Sequence, residues 1–229
     1  MKHCAFDIET GPLPEEEIRP FMPVFEAPSN YKDEAKIAEY VKAKEQEWIG
    51  RAALSALTGR VLVVGVLDTD GQMTLIHVSG DEKALLKDTW DLWLDYTKAD
   101  KWIGHNCFGF DLPFMVRRSR ILGVNVPSQV RKGRWWHERF VDTMEEWQMG
   151  NREDRISLAN LARALRAGEK SGNGADFYKL WTEDRKQAVA YLRNDLELTM
   201  RCAERMGIVE TKFSESQPPE PGPEDDIIP

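Results

Sequence analysis

The sequence predicts an α/β domain built on a mixed sheet, and three observations carry that prediction. The continuous apolar run Val61-Leu62-Val63-Val64-Gly65-Val66-Leu67 has the character of a central strand covered on both faces. Segments of strand and helix character follow in the order three strands, helix, strand, helix and further helices. The last helical stretch places Ala188, Tyr191, Leu198 and Cys202 on one apolar face, at spacings that return to the same side of a helix.

The first strand is expected at about residues 2–9. Residues 11–30 hold five of the chain's twelve prolines, which opposes regular structure there. Asn30 and Asp33 then mark a helix start, and Ile37, Tyr40, Val41 and Trp48 follow at helical spacing, so an inserted helical arm is expected at about 11–58. Asp70-Gly71 turns the chain from the central strand into a third strand over 72–78. Leu86, Trp90, Trp93, Leu94 and Thr97 outline a helix face, Trp102-Ile103-Gly104 a short strand, and 112–122 a further helix. Residues 139–149 suit a strand or a short helix, and Ser157 opens another helix. A loop marked by Gly168, Gly172 and Gly174 precedes the last helix, whose start is read at Thr182 and whose end lies near Met206.

Composition bounds the function classes. Cys4, Cys107 and Cys202 lie inside apolar runs and are odd in number, which argues for packed thiols and against a disulfide framework. There is no signal pattern and no apolar run that could span a bilayer, so a cytoplasmic protein without a membrane partner is expected. The net charge is −8, yet five of the acids fall in residues 214–229, which hold no Lys or Arg; the remainder carries −3. Overall charge therefore neither supports nor excludes a nucleic-acid substrate.

The chemistry is carried by acids. In Phe6-Asp7-Ile8-Glu9-Thr10, strand alternation puts Asp7 and Glu9 on one face and Phe6 and Ile8 on the other. Two like charges on a buried strand repel and lose hydration, an arrangement a divalent cation relieves. Asp111 follows the polar turn Gly104-His105-Asn106, and two readings of it stay open: a helix N-cap before Leu112-Pro113, or a metal ligand. Asp195 stands in the middle of the apolar stripe of the last helix with Tyr191 one turn earlier; a buried acid there demands a partner, a proton or a metal.

In the order Asp-x-Glu, Asp, Tyr-x-x-x-Asp, these residues resemble the DEDD superfamily of 3′–5′ exonucleases, in the branch whose third motif carries tyrosine. Proofreading domains of DNA polymerases and ribonuclease D belong to that branch. The resemblance covers residues 1–206 and implies a ribonuclease H-like fold, a five-stranded mixed sheet flanked by helices. It implies two divalent cations, Mg²⁺ or Mn²⁺, held by Asp7, Glu9, Asp111 and Asp195, with Tyr191 orienting the attacking water. The implied substrate is the 3′ end of single-stranded nucleic acid, with DNA favoured over RNA. An RNA-trimming enzyme like ribonuclease D, or a silent nucleic-acid-binding scaffold of the same fold, is the alternative. By the same resemblance Thr10 and Leu13 would meet the terminal sugar and base, and Asn106 and Phe110 the terminal nucleotide. A rival third motif, His137 to Asp142, has the spacing of the histidine branch but precedes the helix opened by Ser157 and lacks an apolar stripe, so it is read as a decoy.

Two further segments invite function. Arg131 to Arg139 interleaves cations with aromatics, and Lys132, Arg134 and Trp135 are expected to form a single-strand platform. Residues 207–229 form an extension, acidic, proline-rich and expected to be disordered from about 214. Its acids followed by an apolar end resemble the acidic tip with which single-stranded-DNA-binding proteins dock partner enzymes, which would make the tail a site for a protein partner. But Pro229 stands where that tip carries phenylalanine, and composition favours a tail that only solvates the chain.

Overall fold

The computed structural model describes residues 2–77, 81–95, 98–132 and 135–209. Strand β1 (His3–Pro12) runs three residues further than its apolar pattern ends, because its pairing with β2 (Gly59–Asp68) continues to Pro12 opposite Gly59. Between them lie the short α1 (Glu15–Ile18), a 3-10 turn over Arg19–Phe21, and α2 (Glu34–Gly50). The prolines thus permit one helical turn, entered from Pro14, in a stretch expected to be irregular. The Asp33 side chain caps α2 by accepting from Ala35 N and Lys36 N.

There follow β3 (Met73–His77), α3 (Glu82–Leu94), β4 (Lys101–Gly104) and α4 (Asp111–Leu122). A two-stranded ribbon pairs β5 (Arg131–Lys132) with β6 (Trp135–Trp136). The stretch read as strand or helix is both, β7 (Phe140–Asp142) running directly into α5 (Thr143–Gln148). After α6 (Leu158–Ala164) come α7 (Phe177–Glu183) and α8 (Arg185–Arg205). Thr182 does not start the last helix: its hydroxyl donates to Tyr178 O and Lys179 O inside α7, and Asp184 caps α8 by accepting from Gln187 N.

Among the described residues the main sheet has five strands in the order β3-β2-β1-β4-β7, antiparallel through β3, β2 and β1 and parallel from β1 to β4 to β7. Side chains alternate across it. Phe6, Ile8, Val64 and Val66 enter a core with Trp90, Trp93 and Trp102 beneath α3 and α4. Ala5, Val63 and Leu67 enter a second core beneath α7 and α8. A register shift between Glu9 and Thr10 puts Leu62 and Val63, consecutive in β2, on the α8 side.

Gly65 sets how closely α8 approaches. A Cβ there would lie 2.9 Å from side-chain atoms of both Leu192 and Leu196, so a side chain would lift the helix off the sheet. Gly65 is the cross-strand partner of Asp7, and this close contact brings Tyr191 and Asp195 over β1.

Candidate active site

The acids gather where β1 and β4 end their parallel pairing, the carboxyl edge at which open α/β sheets hold their sites. The β1–β4 ladder stops at Ala5 opposite Ile103, so Ile8 has no partner in β4. Asp111 supplies one, its Oδ1 accepting from Ile8 N at 3.1 Å. The capping reading of Asp111 fails on geometry: Asp111 is the first residue inside α4, the N-cap is Phe110 and it makes no side-chain cap, and Asp111 is only 3% exposed. Its carboxylate reaches across the sheet edge instead.

Asp7, Glu9 and Asp195 each offer an oxygen within 4.8 Å of the other two. Asp111 completes the set beside Asp7, and the Asp111 charge is among the causes that make Asp7 harder to ionise. Burial first, then the charges of Asp111, Glu9 and Asp195, holds Asp7 protonated well above the ordinary carboxylate range. Glu9 is pushed up by burial and by Asp195, with Lys170 opposing. Burial lifts Asp111 to about 7 against the pull of the Ile8 N–H and Asp7. Three acids that resist ionising, gathered beside Asp195, have the electrostatics of a site built for added positive charge.

Some of that charge comes from a residue the sequence reading did not single out. Lys170, in the loop between α6 and α7, donates from Nζ to Asp195 Oδ2 at 2.7 Å and lies 5.1 Å from the Tyr191 ring centre. The loop can pass this close because it is glycine-bearing: a Cβ on Gly172 would sit 3.1 Å from Tyr191 Cδ2. The other oxygen of Asp195, Oδ1, is buried without a hydrogen-bond partner. An orphaned carboxylate oxygen beside two further carboxylates fits a hard divalent cation of the Mg²⁺ or Mn²⁺ type.

Tyr191 is buried on the same face of α8, and burial together with Asp195 and Glu9 raises its pKa. It therefore stays a neutral phenol. The rival His137–Asp142 pair is elsewhere. Asp142 accepts from Asn106 N and Phe108 N, each at 2.8 Å, and caps α5 through Met144 N. It clamps the turn that leads to Asp111, a structural role sequence spacing alone did not show.

The remaining predicted contacts are placed as follows. Asn106 sits at φ 59° in that turn, with its side-chain Oδ1 accepting from Arg155. Phe110 packs on Phe114 at the head of α4. The Thr10 hydroxyl donates to Ala53 O at 2.8 Å, and Leu13 is tied by its N–H to Thr58 O. Trp135 is 59% exposed on β6, whose other residue, Trp136, stacks on Phe108 and beneath the Arg131 guanidinium. Arg134, the side chain of Lys132 and the acidic tail over 214–229 lie outside the described residues.

Comparison with known proteins gives this geometry a context. Residues 51–217 match a family model described as a predicted 3′–5′ exonuclease related to the exonuclease domain of PolB. That stretch contains Asp111, Tyr191 and Asp195 but begins after Asp7 and Glu9, which the fold brings back to it. Of 104 matching chains of solved structures, one is the family B DNA polymerase from the hyperthermophilic archaeon Pyrobaculum calidifontis. It aligns with a TM-score of 0.58 at 20% identity, over 90% of this chain and 24% of the polymerase. The chain thus spans about a quarter of that polymerase, and the likeness establishes the ribonuclease H-like fold. No curated protein matches the sequence. No helix among the described residues is long and apolar enough to cross a membrane.

Proposed function

Since the chain belongs to the family of predicted 3′–5′ exonucleases related to the exonuclease domain of PolB, hydrolases of phosphodiester bonds, we propose that it trims the 3′ ends of single-stranded nucleic acid, DNA in preference to RNA, with two divalent cations. One observation carries this reading: Asp7 and Glu9, outside the matched stretch, meet Asp195 within 4.8 Å, beside an Asp195 oxygen that has no protein partner.

Asp7, Glu9 and Asp195 are the residues that would hold cations, with Asp111 beside Asp7. Divalent cations held there would supply charge neutralisation at the scissile phosphate and a lowered pKa for water. The chain's own residues do the positioning. Tyr191, kept neutral by its surroundings, hydrogen-bonds the attacking water and does not act as its base. Water oxygen bonds to phosphorus and gives up a proton to solvent, and the P–O3′ bond breaks. The 3′ oxygen stays on the shortened strand and takes a proton from solvent to become a hydroxyl, and a nucleoside 5′-monophosphate leaves. Asp142 fixes the Asn106–Phe108 turn beside α4, so the terminal nucleotide meets a rigid wall. The exposed Trp135 offers a stacking surface at the far side of that turn.

The test supplies matched 5′-labelled DNA and RNA strands with Mg²⁺, Mn²⁺ or chelator. A ladder shortening from the 3′ end, dependent on metal, faster on DNA and absent in Asp7→Ala, is expected. Tyr191→Phe should slow cleavage by roughly 10–100-fold, the usual cost of losing an outer positioning group, whereas His137→Ala should leave the rate alone. Inactivity of the histidine variant with a normal phenylalanine variant would assign the third motif to His137 instead.

A further inference from the structure

The segment that joins β1 to β2 carries chemistry the acid cluster does not use. Two adjoining hollows of about 540 and 460 Å³ share Leu54, Ser55 and Leu57 and form one groove. Phe21, Phe25 and Trp48 wall one end, and Arg117, Arg120 and Ile121 of α4 wall the other. Its apolar side chains are not covered: Phe21, Leu54, Leu57 and Ile121 are each more than half exposed. The faces of α2 explain this, because its apolar stripe is only half-buried and none of its residues enters a core. A continuous apolar surface of this kind marks a binding site.

Charge indicates what binds. Lys44, Arg51, Arg117 and Arg120 line the groove, and its one acid, Glu47, is engaged by Lys44 at 2.7 Å. Arg51, Arg117 and Arg120 form no ion pair among the described residues. On a chain of net charge −8, this is a local excess of cations beside exposed rings. Polyanions with stackable bases have the complementary chemistry.

Both walls are continuous with elements that carry the acids. Thr10, next to Glu9, bonds the carbonyl of Ala53 in the groove floor. Arg118 of α4 donates to Ala56 O at 3.1 Å, fixing that floor to the helix that begins at Asp111. Arg117 and Arg120 lie six and nine residues along α4 from Asp111, roughly 9 and 14 Å by helical rise.

We propose that this groove binds the single strand upstream of the nucleotide being removed, with phosphates on Arg51, Arg117 and Arg120 and bases against Phe21 and Trp48. The assignment of an upstream strand rests on the exonuclease reading; the groove's affinity for a strand does not.

Fluorescence anisotropy in chelator tests it without requiring turnover. The probes are 5′-labelled oligothymidylate and oligouridylate of about 20 nucleotides, and oligothymidylate of about 4, which spans only the cleft. Arg51→Ala with Arg120→Ala should weaken the long strands roughly tenfold and lower the log–log salt slope by about 1.4, or 0.7 for each phosphate that is no longer neutralised. Phe21→Ala should weaken them at least about fivefold, since its stacking surface is removed. All are exposed side chains, and an unchanged melting temperature confirms the fold. Affinity for the short strand should change little. Equal affinity of variants and wild type for the long strands would overturn the proposal, as would a wild type that binds long and short strands equally; either result would leave the groove to a protein partner. Failure of the exonuclease reading shows separately, as absence of metal-dependent cleavage by the wild type.

Discussion

Two clusters of buried charge in this molecule are built on opposite principles. The first joins Glu82 at the head of α3 to Arg118 of α4. Arg118 donates Nε and Nη2 to the two Glu82 oxygens at 3.0 and 2.6 Å and Nη1 to Ala56 O, while Glu82 also accepts from Val61 N. Each carboxylate oxygen has a partner, and one cation meets one anion. The second gathers Asp7, Glu9, Asp111 and Asp195 around a single lysine, leaves Asp195 Oδ1 without a partner and shifts the pKa values of three of its acids upward. A buried pair that is fully satisfied holds elements together; an acid cluster short of positive charge costs stability and waits for something outside the chain. The contrast singles out the second cluster as the candidate functional site without appeal to its motifs.

The comparison can be broken first at the satisfied pair. Arg118→Met leaves Glu82 buried and uncompensated, so the fold should lose about 3–5 kcal/mol. At roughly 2–4 °C for each kcal/mol in a chain of this size, the melting temperature should fall by about 6–20 °C. A loss under a degree would show that the pair is as dispensable as a surface ion pair.

Lys170→Met is the matching test in the acid cluster, with a smaller expected effect. It removes a charge-assisted hydrogen bond from a partly exposed lysine, worth about 1.5–3 kcal/mol in the metal-free protein. Because the ammonium no longer competes for Asp195, the stabilisation produced by added Mn²⁺ should be larger than in the wild type. If that increment is unchanged, Lys170 does not occupy the same space as the cation.

A third effect is a slope. Asp7, Glu9 and Asp111 have folded pKa values raised above their unfolded ones. Such groups bind more protons folded than unfolded, so their stabilising contribution is full below the ordinary carboxylate range and is lost as pH rises through the folded values, about 7 for Asp111. In chelator, thermal stability should decline from about pH 4 to pH 8, and Mn²⁺ should restore more of it at the upper end. Stability that rises over that interval in chelator would mean the acids are already paired.

Most of the second cluster was legible in the sequence, and most of the first was not. Asp7 and Glu9 stand out because alternation forces two acids onto one face of a buried strand, and Asp195 because it interrupts an apolar stripe. Periodicity reports such conflicts. Lys170 creates no conflict: it lies in an aperiodic, glycine-bearing loop and acquires meaning only when α8 packs over β1. The grip of Asp142 on the Asn106 turn depends on parallel pairing of β4 with β7, which local sequence does not reveal. Glu82 and Arg118 are 36 residues apart and each suits an exposed helix face in sequence terms. Thr182 and Asp184 are both good caps two residues apart, and the choice between them is made by α7, whose last turn already contains Thr182. The arm gave a correct helix but no hint that its apolar stripe would stay half-open.

The central claim, that the acid cluster is a divalent-cation site, is tested most directly by titrating Mn²⁺ into the metal-free protein in a calorimeter at pH 7, for the wild type and for Asp7→Asn. Binding to acids that still hold protons releases them, so the wild type should take up Mn²⁺ with a heat that varies with the ionisation enthalpy of the buffer. Asp7→Asn should keep its fold and lose that uptake. Unchanged uptake in the variant, or none in the wild type, would contradict the account.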